Sequence, residues 1–116
     1  MSGGAEDCIF CRIVAGDIPA EVVHRSERSV AFRDTNPQAP THVLVVPVDH
    51  HADAVALASA DPDTAADLVT PAAAVAEAEG LHGYRLVFNT GREAGQTVFH
   101  THLHLLGGRS LTWPPG

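Results

Sequence analysis

The sequence predicts an α+β domain with a five-stranded, antiparallel sheet, and three observations carry that expectation. Five short apolar runs, at 22–23, 30–32, 42–48, 84–88 and 101–106, are rich in valine, leucine and phenylalanine and are bounded by polar, proline or glycine segments. A single long stretch, 61–80, spaces its apolar residues by three and four, as one face of a helix requires. The order helix, hairpin, strand, helix, two strands sets strands beside strands, and the whole of 1–116 reads as one domain without repeats or a linker.

Each element has a local reason. In "CIFCRIVAG", Ile9 and Ile13 are at helical spacing with Phe10 and Val14 beside them, and Gly16 supplies a stop. "EVVHRSERSVAFRD" reads as a hairpin with its turn near Ser26 and Glu27. The two prolines of "TNPQAPTH" demand a loop, and "HVLVVPV" is a buried strand closed by Pro47. In the main helix Asp61 is the cap, Pro62 the first helical residue and Gly80 the exit. Its stripe is Ala65, Leu68, Val69, Ala72, Val75 and Ala76. Pro71 falls inside it and costs about 3 kcal/mol there, which predicts a kink or two shorter helices. "YRLVFNT" is a strand, "GREAGQ" a loop, "THLHLL" the last strand and "GGRSLTWPPG" an irregular tail.

The net charge is −7, and all seven basic residues are arginines scattered along the chain. Without a basic run the chain is poorly suited to nucleic acid or an anionic membrane surface, so any phosphate must be held by local donors. No apolar run matches a bilayer span and no basic-then-apolar leader opens the chain, so a cytoplasmic protein is expected. Cys8 and Cys11 form a C-x-x-C, which in such a chain points to metal or redox chemistry. With no strand before the pair, the redox reading is the weaker one.

The chemistry concentrates in "VFHTHLHLLGG". His100, His102 and His104 alternate with their neighbours, and alternation is the strand period, so the three rings are expected on one face of a sheet. A neutral imidazole can attack an electrophilic phosphorus if its other nitrogen is held as a donor, and flanking imidazoles can donate to the non-bridging oxygens. His102, at the centre, is the expected nucleophile, with His100 and His104 on either side. Upstream, Gly95 lets backbone approach a phosphate, Gln96 and Thr97 offer an amide and a hydroxyl, and Asn89 ends the preceding strand on the same side. His51 and His82 read as solvent-exposed.

His-Thr-His-Leu-His-Leu-Leu fits the histidine triad pattern, and the chain resembles the Hint branch of that superfamily over nearly its whole length. The resemblance runs through "CIFCRIVAGDIPAEVV", "AFRDTNPQAPTHVLVVP", "GYRLVFNTGREAGQTVFHTHLHLLGGR" and the terminal "WPPG". It implies a homodimer joined into one continuous sheet that cleaves the P–N bond of purine nucleoside 5′-phosphoramidates (AMP or GMP derivatives), with no cofactor needed for catalysis. On that reading His102 becomes nucleotidylated, His104 and Asn89 hold phosphate oxygens, and Thr97 stands where the family usually has serine and protonates the leaving amine. His42 would fix the tautomer of His102, and Asp34 would accept from the ribose hydroxyls. Ile9, Phe10, Phe32 and Leu44 would line the base pocket, and Trp113 would reach the partner subunit's site.

Two other readings of the triad stand beside this one: a nucleotide-binding regulatory or scaffold protein with incidental catalysis, and a dinucleoside polyphosphate hydrolase. Cys8, Cys11, His50 and His100 make a Cys2His2 set able to close a structural zinc site, and some bacterial relatives look like zinc proteins at these positions. The competing reading makes both cysteines small buried hydrophobes and has His50 hydrogen-bonded at a helix start.

Overall fold

The computed structural model describes residues 7–116. The first helix, α1, spans Ile9–Ala15, and β1 (Val22–Arg25) and β2 (Ser29–Arg33) form the expected hairpin. Strand β3 (Thr41–Pro47) follows the proline loop and is buried along its whole length. Two helices, α2 (Ala54–Ala60) and α3 (Pro62–Ala78), precede β4 (Tyr84–Val87) and β5 (Leu103–Gly107). The five strands make one sheet in the order β1-β2-β3-β5-β4, antiparallel at every pairing.

The sheet is covered on both faces, which is why β3 reads as an unbroken apolar run from Val43 onward. One face carries Ala31, Val43, Val45, Leu103 and Leu105 against Leu57 of α2 and Leu68, Ala72, Val75 and Ala76 of α3. The other carries Val30, Phe32, Leu44 and Val46 against Cys8, Phe10 and Ile13 at α1. Register then sets the site: Leu44 lies opposite His104, so His104 shares the α1 face, as does His42 two residues before Leu44.

Where Pro71 predicts a kink or two shorter helices, helix α3 runs unbroken through it, so the second does not occur. Pro71 cannot donate to the carbonyl of Asp67, but its ring is buried, and the packed face compensates for the missing bond. That face is Thr64, Leu68, Pro71, Ala72, Val75 and Ala76; Val69, placed in the stripe by the sequence reading, points outward. The Asp61 carboxylate accepts from Thr64 N at 3.2 Å and caps the start. At the exit Gly80, with φ +73°, donates to Glu77 O, while Leu81 N reaches back to Ala76 O, and this pairing closes the helix.

Helix α2 had no counterpart in the sequence reading. Its only buried residue is Leu57, so it shows no apolar stripe. Its signals were the Asp53 cap, which accepts from Ala56 N at 2.9 Å, and an alanine-rich body. Both sheet-forming stretches near the site are shorter than expected. Strand β4 ends at Val87, the loop beyond it contains a 3-10 turn at Arg92–Ala94, and β5 begins only at Leu103. Among the described residues no helix is long and apolar enough to cross a membrane.

Candidate active site

All three triad histidines lie on the α1 side of the sheet, but only His104 is a strand residue, and the three rings divide between two clusters. His100 and His102 sit in the irregular segment that leads into β5. Thr101 between them anchors the segment: its backbone N–H and its hydroxyl both donate to the carbonyl of His51, at 2.8 and 3.0 Å. Sequence reasoning missed this role for Thr101, and it corrects the view of His51 as solvent-exposed, since His51 is half-buried under that clamp. His82 is exposed, as expected.

His102 is buried, with its Nδ1 2.7 Å from the backbone carbonyl of His100. A carbonyl only accepts, so Nδ1 carries the proton and Nε2 keeps a lone pair. The ring is braced edge-on by Phe10, at 5.0 Å between centroids, and lies 5.0 Å from the ring of His104. Burial lowers the His102 pKa; the His100 carbonyl and the charge of Asp34 act against that shift without reversing it.

His104 Nδ1 is 2.9 Å from Nε2 of His42, whose own Nδ1 accepts from Gln38 N at 3.0 Å. The carboxylate of Asp34 lies 3.4 Å from His42 Nε2 and also accepts from Asn36 N at 2.8 Å. The expectation that His42 fixes the tautomer of His102 is therefore corrected: the carbonyl of His100 holds His102, and His42 touches His104. The other nitrogen of His104, Nε2, is buried without a hydrogen-bond partner among the described residues. A buried polar atom in that condition costs stability unless a ligand meets it.

His100 is withdrawn from phosphate chemistry, which corrects its placement as a flanking donor. Its Nε2 is 2.9 Å from the carbonyl of Pro47 and must carry the proton there. Its Nδ1 faces Cys8 Sγ at 3.3 Å and Cys11 Sγ at 3.4 Å, while His50 Nδ1 is 3.4 Å from Cys11 Sγ. The four ligand atoms of Cys8, Cys11, His50 and His100 lie within 4.8 Å of one another. A tetrahedral zinc with ordinary bond lengths would set its ligands roughly 3.3–3.8 Å apart, so the donor set fits that ion in kind and in spacing. The Pro47 carbonyl supplies the outer bond that orients a metal-binding imidazole. Burial, and then the neighbouring Cys8, push the Cys11 thiol up to about 11, and a bound cation would reverse that preference.

The loop between β4 and β5 also departs from expectation. The side chain of Gln96, only 2% exposed, is fully spent: Oε1 accepts from Gly91 N at 2.9 Å, and Nε2 donates to Ala52 O and Val98 O at 2.7 and 3.0 Å. It staples the loop and has no amide left for a phosphate. Thr97 is exposed beside it, and at Gly95, with φ +97°, an added Cβ would lie 4.0 Å from the Asn89 amide nitrogen. Of the four expected pocket residues, Phe10, Phe32 and Leu44 are core beneath the histidines, and Ile9, 47% exposed, offers the apolar surface. Trp113 is 81% exposed.

Burial lowers the pKa of His42, and lowers that of His104 from 6.5 to about 4. Unfolded, both would take up protons near 6.5; folded, they resist, so the stability they contribute is present above 6.5 and lost as pH falls toward 4. Thermal melts should therefore show stability falling by on the order of 3 kcal/mol between pH 7 and 4 from His104 alone. A flat or rising melting temperature over that window, or an equal slope in His104→Asn, would contradict the assignment.

Comparison with known proteins gives this arrangement a lineage. A model of the HIT domain matches residues 15–111. An uncharacterized HIT-like protein of Synechococcus elongatus is 47% identical over 113 residues, covering 97% of this chain and 99% of that protein. A solved HIT family hydrolase from Legionella pneumophila superposes with a TM-score of 0.90 at 50% identity, covering 94% of this chain and 99% of that one. A second, from Clostridium thermocellum, gives 0.88 at 41% identity, covering 92% and 95%. Since the matched span takes in the hairpin, both helical connections and all three alternating histidines, the chain belongs to the HIT domain family.

Proposed function

We propose that this protein hydrolyses the P–N bond of purine nucleoside 5′-phosphoramidates through a nucleotidyl-histidine intermediate, as the Hint branch of its family does. The observation that carries the reading is the pair of adjacent rings. His102 is held by the His100 carbonyl with Nε2 free to attack, and His104 Nε2 waits, buried and unpartnered, one ring away. His102 Nε2 bonds to the α-phosphorus as the bond to the amine breaks, and the Thr97 hydroxyl passes a proton to the departing amine. Water then cleaves the phosphorus–histidine bond and releases the nucleotide, its hydroxide going to phosphorus and its proton restoring the Thr97 hydroxyl. Asn89 supports His104 in holding phosphate oxygens, and Asp34 accepts from the ribose. The depressed pKa of His102 supports the reading, because a protonated ring could not attack.

The Cys8, Cys11, His50 and His100 set would hold a structural Zn2+, tying α1 to the segment that carries the nucleophile, with no part in the bond-making steps. A homodimer would extend the sheet from one of its two edge strands, β1 or β4, and the exposed Trp113 suits a contact with the partner.

The test is a substrate panel: an adenosine 5′-phosphoramidate, its guanosine counterpart and a dinucleoside polyphosphate. Turnover of the phosphoramidates well above the polyphosphate is expected. Faster polyphosphate cleavage, or tight nucleotide binding without turnover, would replace this function with one of the other two readings.

A further inference from the structure

The loop between β4 and β5 carries a cation that no step of the proposed reaction uses. Gly91 and Gln96 tie the neck of that loop. Gln96 N donates to Gly91 O at 3.1 Å, and Gly91 N donates to Gln96 Oε1 at 2.9 Å. Arg92 and Thr97 each follow one member of that pair directly, so both stand beside the same neck. Val98 packs inward against the core at α1, which leaves Thr97 and Phe99 exposed on either side of it. The Arg92 guanidinium stacks over the Phe99 ring, 5.4 Å from its centroid.

Four other arginines are committed. Arg28 pairs with Asp67 and Arg33 with Glu21 and Glu79, while Arg85 and Arg109 donate to backbone carbonyls. Among the described residues the Arg92 guanidinium makes no ion pair and no hydrogen bond, and the adjacent Glu93 is not its partner. Stacking on a ring uses the face of a guanidinium and leaves its N–H edge open to an anion. It also restrains a long side chain in advance, which lowers the entropy lost on meeting a ligand. In a chain of net charge −7 this is a local inversion of sign, on the same loop as Thr97.

The inference rests on the proposed function, in which the Thr97 hydroxyl stands on the leaving side of the phosphorus. A group carried beyond the departing nitrogen then passes Thr97 toward Phe99 and Arg92. We infer that Arg92, stacked on Phe99, is a specificity-determining residue that meets a carboxylate on the departing amine. The favoured substrates are then phosphoramidates formed on the nitrogen of an amino acid, whose carboxylate lies a few bonds from the P–N bond. Phe99 is a positioning residue, acting through the guanidinium it holds.

The test compares the adenosine 5′-phosphoramidates of glycine and glycinamide, which differ by one charge at the far end of the amine. The ratio of their kcat/KM values is set against the same ratio in variants, so intrinsic differences between the leaving groups cancel. Arg92→Gln should lower the ratio about fivefold, the scale of one solvent-facing ion pair. Arg92→Lys, which keeps the charge, should recover most of that loss, and Phe99→Leu should fall between wild type and Arg92→Gln. Raising the ionic strength to about 1 M, where charges are screened beyond roughly 3 Å, should bring the wild-type ratio toward that of Arg92→Gln without any substitution. A ratio unchanged in Arg92→Gln, or one that salt leaves as it was, would overturn the inference while turnover of glycinamide's derivative keeps the proposed function standing. If neither compound is turned over, the proposed function falls and takes this inference with it.

Discussion

His102→Ala is expected to reduce turnover of adenosine 5′-phosphoramidate by on the order of 10⁴-fold or more, the scale on which removal of an attacking nucleophile acts. Protein quenched during turnover should carry one added nucleotidyl mass in wild type and none in the variant, read by intact-mass spectrometry. The size follows from the geometry. Only His102 combines a ring nitrogen held as a donor by a fixed carbonyl with a second nitrogen left bare, while His104 Nδ1 faces His42 and both His100 nitrogens are engaged. No other imidazole of the triad can take over by a simple rotation. His102→Ala turning over within tenfold of wild type would remove covalent catalysis by this residue and leave the paired rings as a binding site. Adduct formation that persists in the variant would move the nucleophile elsewhere.

Stripping metal with a strong chelator is expected to lower the melting temperature by close to 10 °C, equivalent to about 2 kcal/mol for a chain of this size. Elemental analysis of the untreated protein should give one zinc per chain. The cluster joins three separate stretches: the start of α1, the segment after β3 and the approach to β5. Losing an ion there would leave two thiols and two imidazoles packed together without the charge that organises them. The competing view, in which the cysteines merely fill space, predicts an unchanged melt after chelation and little cost for Cys11→Ala. Recovery of the original melting temperature on adding zinc back separates metal loss from damage by the treatment.

The His102→Ala and chelation experiments meet at His100. Its ring belongs to the cysteine cluster and its carbonyl holds the His102 ring, so the two clusters share one residue. That division explains why three evenly spaced histidines do not act as three equivalent groups. The expected strand period would have placed them alike. Because β5 begins at Leu103, the backbone before it is free to turn the His100 ring toward the cysteines.

Much of the architecture was legible in the chain because the responsible signals are local. The hairpin turn, the apolar run 43–47 of β3, the Asp61 cap, Pro62 and the glycine exit of α3 each act within a few residues of where they stand. The C-x-x-C and the alternating histidines likewise marked the residues that the fold gathers into two clusters. Helix α2 escaped because a single buried leucine makes no periodic stripe, and Val69 was misplaced because one apolar residue beside a stripe looks like another until the packed face is fixed.

What the sequence determined by itself was therefore the kind and order of the strands, of α1 and of α3, and the residue types able to attack phosphorus or bind zinc. Tertiary structure alone decided which of those groups face each other. Gln38 and Pro47 take part only through their backbones, and a backbone N–H or C=O is the same at every residue, so nothing in their side chains announces it. The Gln96 side chain was visible, but its three bonds to Gly91, Ala52 and Val98 exist only after the loop closes. Tautomers depend on such fixed donors and acceptors: Gln38 N and the His100 carbonyl act across four and two residues, but the His42–His104 and Pro47–His100 pairs form only when segments dozens of residues apart are brought within 3 Å of one another.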